Sequence, residues 1–225
     1  MRRQSTLIIS ILSVVLFYNC SNPSSDSDSI VPAGDCSDII LDTTYSKVLT
    51  GTAGYDIIKA PDCSYIISGS AGNTILMKID QFGNEVWTSS YDELSGSHWG
   101  NSVNSTNDGG YIIGGNQNII IKTDSLGTME WHQNLSYSIA HYVEDVIQTS
   151  DGDYMVVGGV GGDPLGGDAV KGKAFMLRMS EGGSIQWVKR YGISDTPNNT
   201  FWGVVEADDG GFVLAGEKLQ DRNFE

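Results

Sequence analysis

The sequence predicts an all-β fold: a β-propeller of four-stranded antiparallel blades, three of them complete and a fourth partial. Three observations carry this. Glycine is frequent, 28 of 225 residues against 5 prolines, and the apolar residues fall in short Tyr/Ile/Val runs. A phrase of Asp, two turn-type residues, an aromatic, three small or apolar residues and Gly occurs four times. A second phrase, an apolar run closed by a base and followed by Gly and then Trp, occurs three times.

The first phrase begins at Asp62, Asp108, Asp151 and Asp209, with its aromatic at Tyr65, Tyr111, Tyr154 and Phe212 and its final Gly at Gly69, Gly115, Gly158 and Gly216. A β-branched residue stands eight positions before each aromatic: Ile57, Val103, Val146 and Val204. Asp-Gly between two β-rich runs signals a hairpin, because both central residues tolerate positive φ. The phrase therefore joins a first strand to a second.

The second phrase supplies the third and fourth strands. Its apolar run ends at Lys78, Lys122 or Arg178, and Trp follows Gly by four in each copy: Gly83/Trp87, Gly127/Trp131 and Gly183/Trp187. Aromatic-to-aromatic spacings are 46, 43 and 58 residues (65 to 111, 111 to 154, 154 to 212). One insertion, residues 160–173, accounts for the long interval. A single four-stranded sheet cannot bury its own apolar face, and radial packing of several gives a propeller.

These phrases resemble the DGGY-type propeller repeats of secreted bacterial proteins, and the second is similar to the Trp-docking motif of quinoprotein-like propellers. The likeness covers residues 45–216. It implies that the recurring Trp, Tyr and Gly pack blades together, because residues repeated in every blade do what every blade needs. It implies no particular activity, since propellers host many functions.

The fourth copy holds only the first two strands. Residues 45–51 resemble a fourth strand and are expected to close the last blade from the N-terminal side. The blade count is thus either a four-bladed ring with an irregular closing blade or the front part of a larger propeller.

The N-terminal residues read as an address. Arg2 and Arg3 precede an apolar run, residues 7–17 (LIISILSVVLF), too short for a bilayer span of about 20 residues. The run stops just before Cys20. This resembles a bacterial lipoprotein signal, in the looser form of Bacteroidetes and spirochaetes, with Phe17 and Asn19 where the usual pattern has Leu and a small residue. The resemblance implies acylation at Cys20; an ordinary cleaved signal is the alternative. The expected organisation is a signal over 1–20, a flexible polar tether over 21–37 and the propeller over 38–225. Cys36 and Cys63 remain, and outside the cytoplasm two such thiols are expected to pair.

A formal net charge of −15 argues against nucleic acid, which needs a basic face. Catalytic signatures are missing from the sequence. The phosphate-loop-like run at Gly167 ends in Gly172, Lys173 and Ala174, without the Ser/Thr hydroxyl, and feeds a strand rather than a helix. His98, His132 and His141 show no ligand spacing. No catalytic residue, cofactor or metal is therefore expected. The aromatics Trp99, Tyr142 and Trp202, each read as preceding a first strand, are the candidate ligand face, with packing between blades as the alternative. The expected function is a non-catalytic module, lipid-anchored in the cell envelope at the outer membrane, that binds protein or glycan. The alternatives are a propeller-based glycan-active enzyme and a periplasmic outer-membrane assembly factor.

Overall fold

The computed structural model describes residues 14–16, 46–49, 51–92, 94, 98–135, 142–160, 173–192 and 199–218. Every regular element among them is a β-strand. Two short strands come first, β1 (Val14–Leu16) and β2 (Ser46–Val48). Blade 1 is β3 (Ala53–Lys59), β4 (Tyr65–Ser70), β5 (Thr74–Ile79) and β6 (Glu85–Ser90). Blade 2 is β7 (Gly100–Ser105), β8 (Tyr111–Gly115), β9 (Ile119–Thr123) and β10 (Met129–Asn134). Blade 3 is β11 (Tyr142–Gln148), β12 (Tyr154–Val160), β13 (Lys173–Met179) and β14 (Ile185–Tyr191). Blade 4 has β15 (Asn199–Glu206) and β16 (Phe212–Lys218). Each complete blade is an antiparallel meander, and β15 joins the blade 3 sheet through one pair, Gly159 opposite Thr200. The first strands β3, β7, β11 and β15 stand side by side in that order. Among the described residues the blades form an arc that does not close.

The cores lie between blades rather than within them. Ile66 and Leu76 of blade 1 meet Val103, Tyr111, Ile113 and Ile121 of blade 2. Ile112 and Ile120, on the opposite face of blade 2, meet Val146, Tyr154 and Phe175 of blade 3. Middle strands buried on both faces read as unbroken apolar runs, whereas the outer strand β10 alternates half-buried and exposed positions. That alternation turns Trp inward. The Trp87 ring lies where a Cβ on Gly127 of the next blade would be, 2.7 Å away, and Trp131 lies 3.2 Å from the same point on Gly183. Only glycine lets the following turn sit on the indole. The Tyr91 hydroxyl also donates to the Gly127 carbonyl across this joint (3.0 Å).

The hairpin turn differs from the sequence expectation. It is a five-residue turn closed at both ends, as in Thr106 N–H to Gly110 O (2.9 Å) and Gly109 N–H to Thr106 O (2.9 Å). Only the residue after Asp takes positive φ: Gly109 at 85°, Gly152 at 92°, Gly210 at 78° and, in blade 1, Cys63 at 66°. Asp itself stays at negative φ, because it is the third residue of the turn that the Gly109-to-Thr106 bond closes, and its carboxylate is occupied. Asp108 Oδ1 accepts the N–H of Gly110 (3.0 Å) and Oδ2 meets Lys122 Nζ (2.7 Å). The same ion pair recurs between Asp62 and Lys78 (2.6 Å) and between Asp151 and Arg178. The base that ends each apolar run is a lock inside the blade.

The expected closing strand is also placed differently. β2 pairs antiparallel with β1, Val14 opposite Val48, and among the described residues it does not pair with blade 4. Both strands are short edges, and each satisfies the other's backbone groups. Leu49, just after β2, packs with Ile67, Ile75 and Met77 of blade 1. Tyr91 and Leu135, after β6 and β10, pack on blades 2 and 3 in the same way.

Candidate functional site

Each first strand carries a β-bulge at one fixed place. The bulged residues are Tyr55, Asn101, Glu144 and Trp202. The residue two positions earlier aims its carbonyl at the phrase-ending glycine of the second strand. A Cβ on Gly69, Gly115, Gly158 or Gly216 would stand 2.0, 2.2, 2.0 or 2.3 Å from the carbonyl oxygen of Ala53, Trp99, Tyr142 or Thr200. Trp99 and Tyr142 are therefore equivalent positions in successive blades, and Tyr55 and Trp202 share a different one.

The expected ligand-face aromatics are all solvent-exposed: Trp99 45%, Tyr142 48% and Trp202 53%. Trp99 directly precedes β7 and Tyr142 opens β11. Trp202 corrects the reading. It lies inside β15, which begins at Asn199, and the bulge there displaces it from the regular alternation; Tyr142 likewise is the first residue of β11 rather than a residue ahead of it. Tyr55 is an unexpected member. Its ring stacks on Trp99 across the joint between blades 1 and 2, with centroids 5.9 Å apart and planes 10° from parallel. Tyr55 is itself 46% exposed, so the pair presents an open aromatic surface. The Trp99 backbone is held at both ends: its backbone N–H donates to Asn116 Oδ1 (2.5 Å) and its carbonyl accepts the backbone N–H of Asn116 (3.1 Å).

Polar groups line the same strands. Asn101 Nδ2 donates to the Val143 carbonyl (3.0 Å) and to Glu144 Oε2 (3.3 Å). The residue after the bulge is Asp56 in blade 1 and Asp145 in blade 3, and each latches the next blade. Asp56 Oδ2 accepts the N–H of Val103 (2.9 Å), and Asp145 Oδ2 that of Val204 (3.0 Å). Blade 2 has Ser102 there, too short for the reach, and its buried hydroxyl makes no hydrogen bond. Burial pushes the Glu144 carboxyl up. Burial also raises Asp145, with the Asp56 charge adding to it, against the N–H groups of Val204 and Val146. Asp145 repeats the structural role of Asp56, which marks it as a latch rather than a catalytic acid.

The remaining candidates separate. Cys63 is disulfide-bonded; Cys20 and Cys36 lie outside the described residues. Cys63 occupies the turn position that glycine fills in the other three copies, at a φ that disfavours a side chain. A bond, not the turn, is the reason for a cysteine there. His98 is buried beside the Asn116 carbonyl, and His132 is exposed on β10. His141 and residues 161–172 of the insertion lie outside the described residues. No cluster of metal-ligating side chains occurs among the described residues.

Radially ordered four-stranded antiparallel sheets, with first strands adjacent and cores between blades, define a β-propeller. Solved structures agree. The chain is similar to the WD40 β-propeller domain of Doa1, at 13% identity over 73% of this chain and 47% of that one, with a TM-score of 0.54. It is also similar to a protein of unknown function from Bacteroides caccae, at 11% identity over 76% of this chain and 56% of that one, with a TM-score of 0.50. The chain spans about half the length of these structures. At such identities the likeness shows the fold. No protein-family model and no curated protein matches the sequence.

Proposed function

We propose that this chain is a non-catalytic binding module, held in the cell envelope by a lipid on Cys20, that recognises a protein or glycan through the aromatic surface of Tyr55 and Trp99, with the exposed aromatics Tyr142 and Trp202 on the first strands of blades 3 and 4 as further contacts. One observation carries the reading: two aromatic rings from adjacent blades are stacked on each other yet half exposed, where folding alone would favour covering them. Flat apolar ring faces bordered by amides and carboxylates suit a ligand with C–H faces and hydroxyls, or an apolar peptide. The net charge of −15 disfavours acidic ligands. Cys36 is the proposed partner of Cys63. The arc of blades fits either a four-bladed ring or part of a larger propeller.

The full chain is screened against arrayed neutral glycans and against envelope proteins by cross-linking. A ligand from either class is expected, and Trp99→Ala should weaken it about tenfold, the scale of one lost aromatic contact. Retention of neither class, or binding by Trp99→Ala and Tyr55→Ala as tight as the parent's, overturns the site. The anchor is tested separately: Cys20→Ala should move the protein from the membrane to the soluble fraction, and unchanged fractionation excludes the lipid.

A further inference from the structure

The bulged residue of one blade reaches across to the start of the next blade's first strand, and blade 2 does this with a different group. Tyr55 reaches with its ring, which stacks on Trp99. Asn101 reaches with an amide: its Nδ2 donates to the Val143 carbonyl (3.0 Å) and to Glu144 Oε2 (3.3 Å). Tyr142 holds in blade 3 the position that Trp99 holds in blade 2. With Asn101 in place of a ring, nothing aromatic covers it. Among the described residues no ring stacks on Tyr142, which is 48% exposed.

Glu144, two residues along the same strand, is also unmatched. Its side chain is partly buried. Burial pushes the carboxyl up, and no charge nearby pulls it back. Among the described residues its one hydrogen-bond partner is the neutral Asn101 amide. Asp56 and Asp145 each latch the next blade through a backbone N–H, whereas Glu144 makes no such bond. Its desolvation therefore costs stability that the fold does not recover. Lys59, at the far end of β3, is the one base on the four first strands.

We propose that Tyr142 and Glu144 form a seat for an arginine side chain presented by a basic protein partner. The guanidinium plane lies on the Tyr142 ring, as the Tyr55 ring lies on Trp99, and its N–H groups pair with the Glu144 carboxylate. Resting on the reading of the exposed rings as a binding surface, the seat gives one part of that surface a chemical class. Two residues of strand span about 7 Å, which keeps ring and carboxylate within reach of a single side chain. A guanidinium suits both groups at once, because it stacks flat on an aromatic face and forks onto a carboxylate; an ammonium is a point charge without that plane. The net charge of −15 draws a basic protein from a distance and gives a neutral glycan no such pull.

The probes are two tripeptides, acetyl-Gly-Arg-Gly-amide and its citrulline counterpart, which keeps the shape and removes the charge. Each is titrated into the full chain while the Tyr142 ring and Glu144 carboxyl resonances are followed by NMR. The Arg peptide should move both, binding about tenfold more tightly than the citrulline peptide, the scale of one charge-assisted pair. Glu144→Gln should erase that difference. The substitution keeps an acceptor for Asn101 and removes a charge that burial disfavours, so its urea midpoint at neutral pH should not fall, and misfolding cannot account for the loss. Tyr142→Leu should weaken the Arg peptide about threefold, the scale of an exposed cation–π contact. Equal titration by the two peptides, shifts that spare Tyr142, or an Arg preference that survives Glu144→Gln overturns the proposal. So does a neutral oligosaccharide, maltohexaose, that moves Tyr142 equally in the parent and in Glu144→Gln, which would give the seat to a glycan. If the peptides fail while a ligand weakened by Trp99→Ala is found, the aromatic surface stands without the seat. If Trp99→Ala weakens nothing either, both fall.

Discussion

Gly158→Ala is expected to destabilise the protein by about 3 kcal/mol or more, at the upper end for a one-carbon change. The added Cβ would stand 2.0 Å from the Tyr142 carbonyl oxygen and 2.9 Å from the Phe175 ring. Relief would require moving the β11 backbone, and the bulge between Val143 and Asp145 fixes that backbone. Two alanine controls separate crowding from conformation. Gly152→Ala meets open space but sits at a φ of 92°, so about 1 kcal/mol is expected from backbone strain alone. Gly182→Ala meets open space without that constraint and should be near neutral. Urea midpoints of the three variants give the order. If Gly158→Ala unfolds with Gly182→Ala, the bulge yields easily and cannot be what makes glycine recur at the end of the phrase.

That glycine shows how far the sequence was readable. Its recurrence at four equivalent positions was plain, and so were the middle strands, because burial on both faces of Tyr111–Gly115 and Ile119–Thr123 writes continuous apolar runs. The base ending each third strand was visible as punctuation, and its pairing with the turn Asp follows from the hairpin once the register is known. The bulge was not readable. Tyr55, Asn101, Glu144 and Trp202 share its position but no common chemistry, so no pattern marks them, and the sequence places Tyr142 and Trp202 ahead of strands that in fact contain them. The ring stack was hidden for a related reason. Tyr55 and Trp99 occupy different registers in different blades, and only the packing of two sheets brings them within 5.9 Å. Repetition thus reveals what every blade shares, while the candidate site lies where the blades differ.

The second large effect is expected at Lys122, which is 3% exposed although charged. Its Nζ donates to Asp108 Oδ2 (2.7 Å), Glu130 Oε2 (2.7 Å) and the Thr123 carbonyl (2.8 Å). Lys122→Met keeps the aliphatic stem and removes the charge, so the cost is the lost partner rather than a cavity. Both carboxylates still reach water, which softens the loss to about 2 kcal/mol, below the usual cost of breaking a fully buried pair. The variant should also change the acid limb of stability. Burial pushes the Asp108 carboxyl up, but hydrogen bonds from Lys122, Thr106 and the Gly110 N–H, with the Lys122 charge, outweigh it and hold it at about 2, below its ordinary 3.8. A depressed folded-state value means the stabilisation is complete above pH 3.8 and is lost as pH falls through about 2. Asp62 and Asp151 are lowered in the same direction and deepen this loss in the parent protein. Glu144 and Asp145, raised by burial, act oppositely: their contribution is present at low pH and fades as pH rises through their folded-state values. Urea midpoints measured from pH 6 down to 2 should therefore converge for the parent and Lys122→Met, because protonating Asp108 dissolves the pair that the mutation has already removed. Curves that stay parallel over that range would assign the loss to packing around the Lys122 stem and take the ion pair out of the blade's stability.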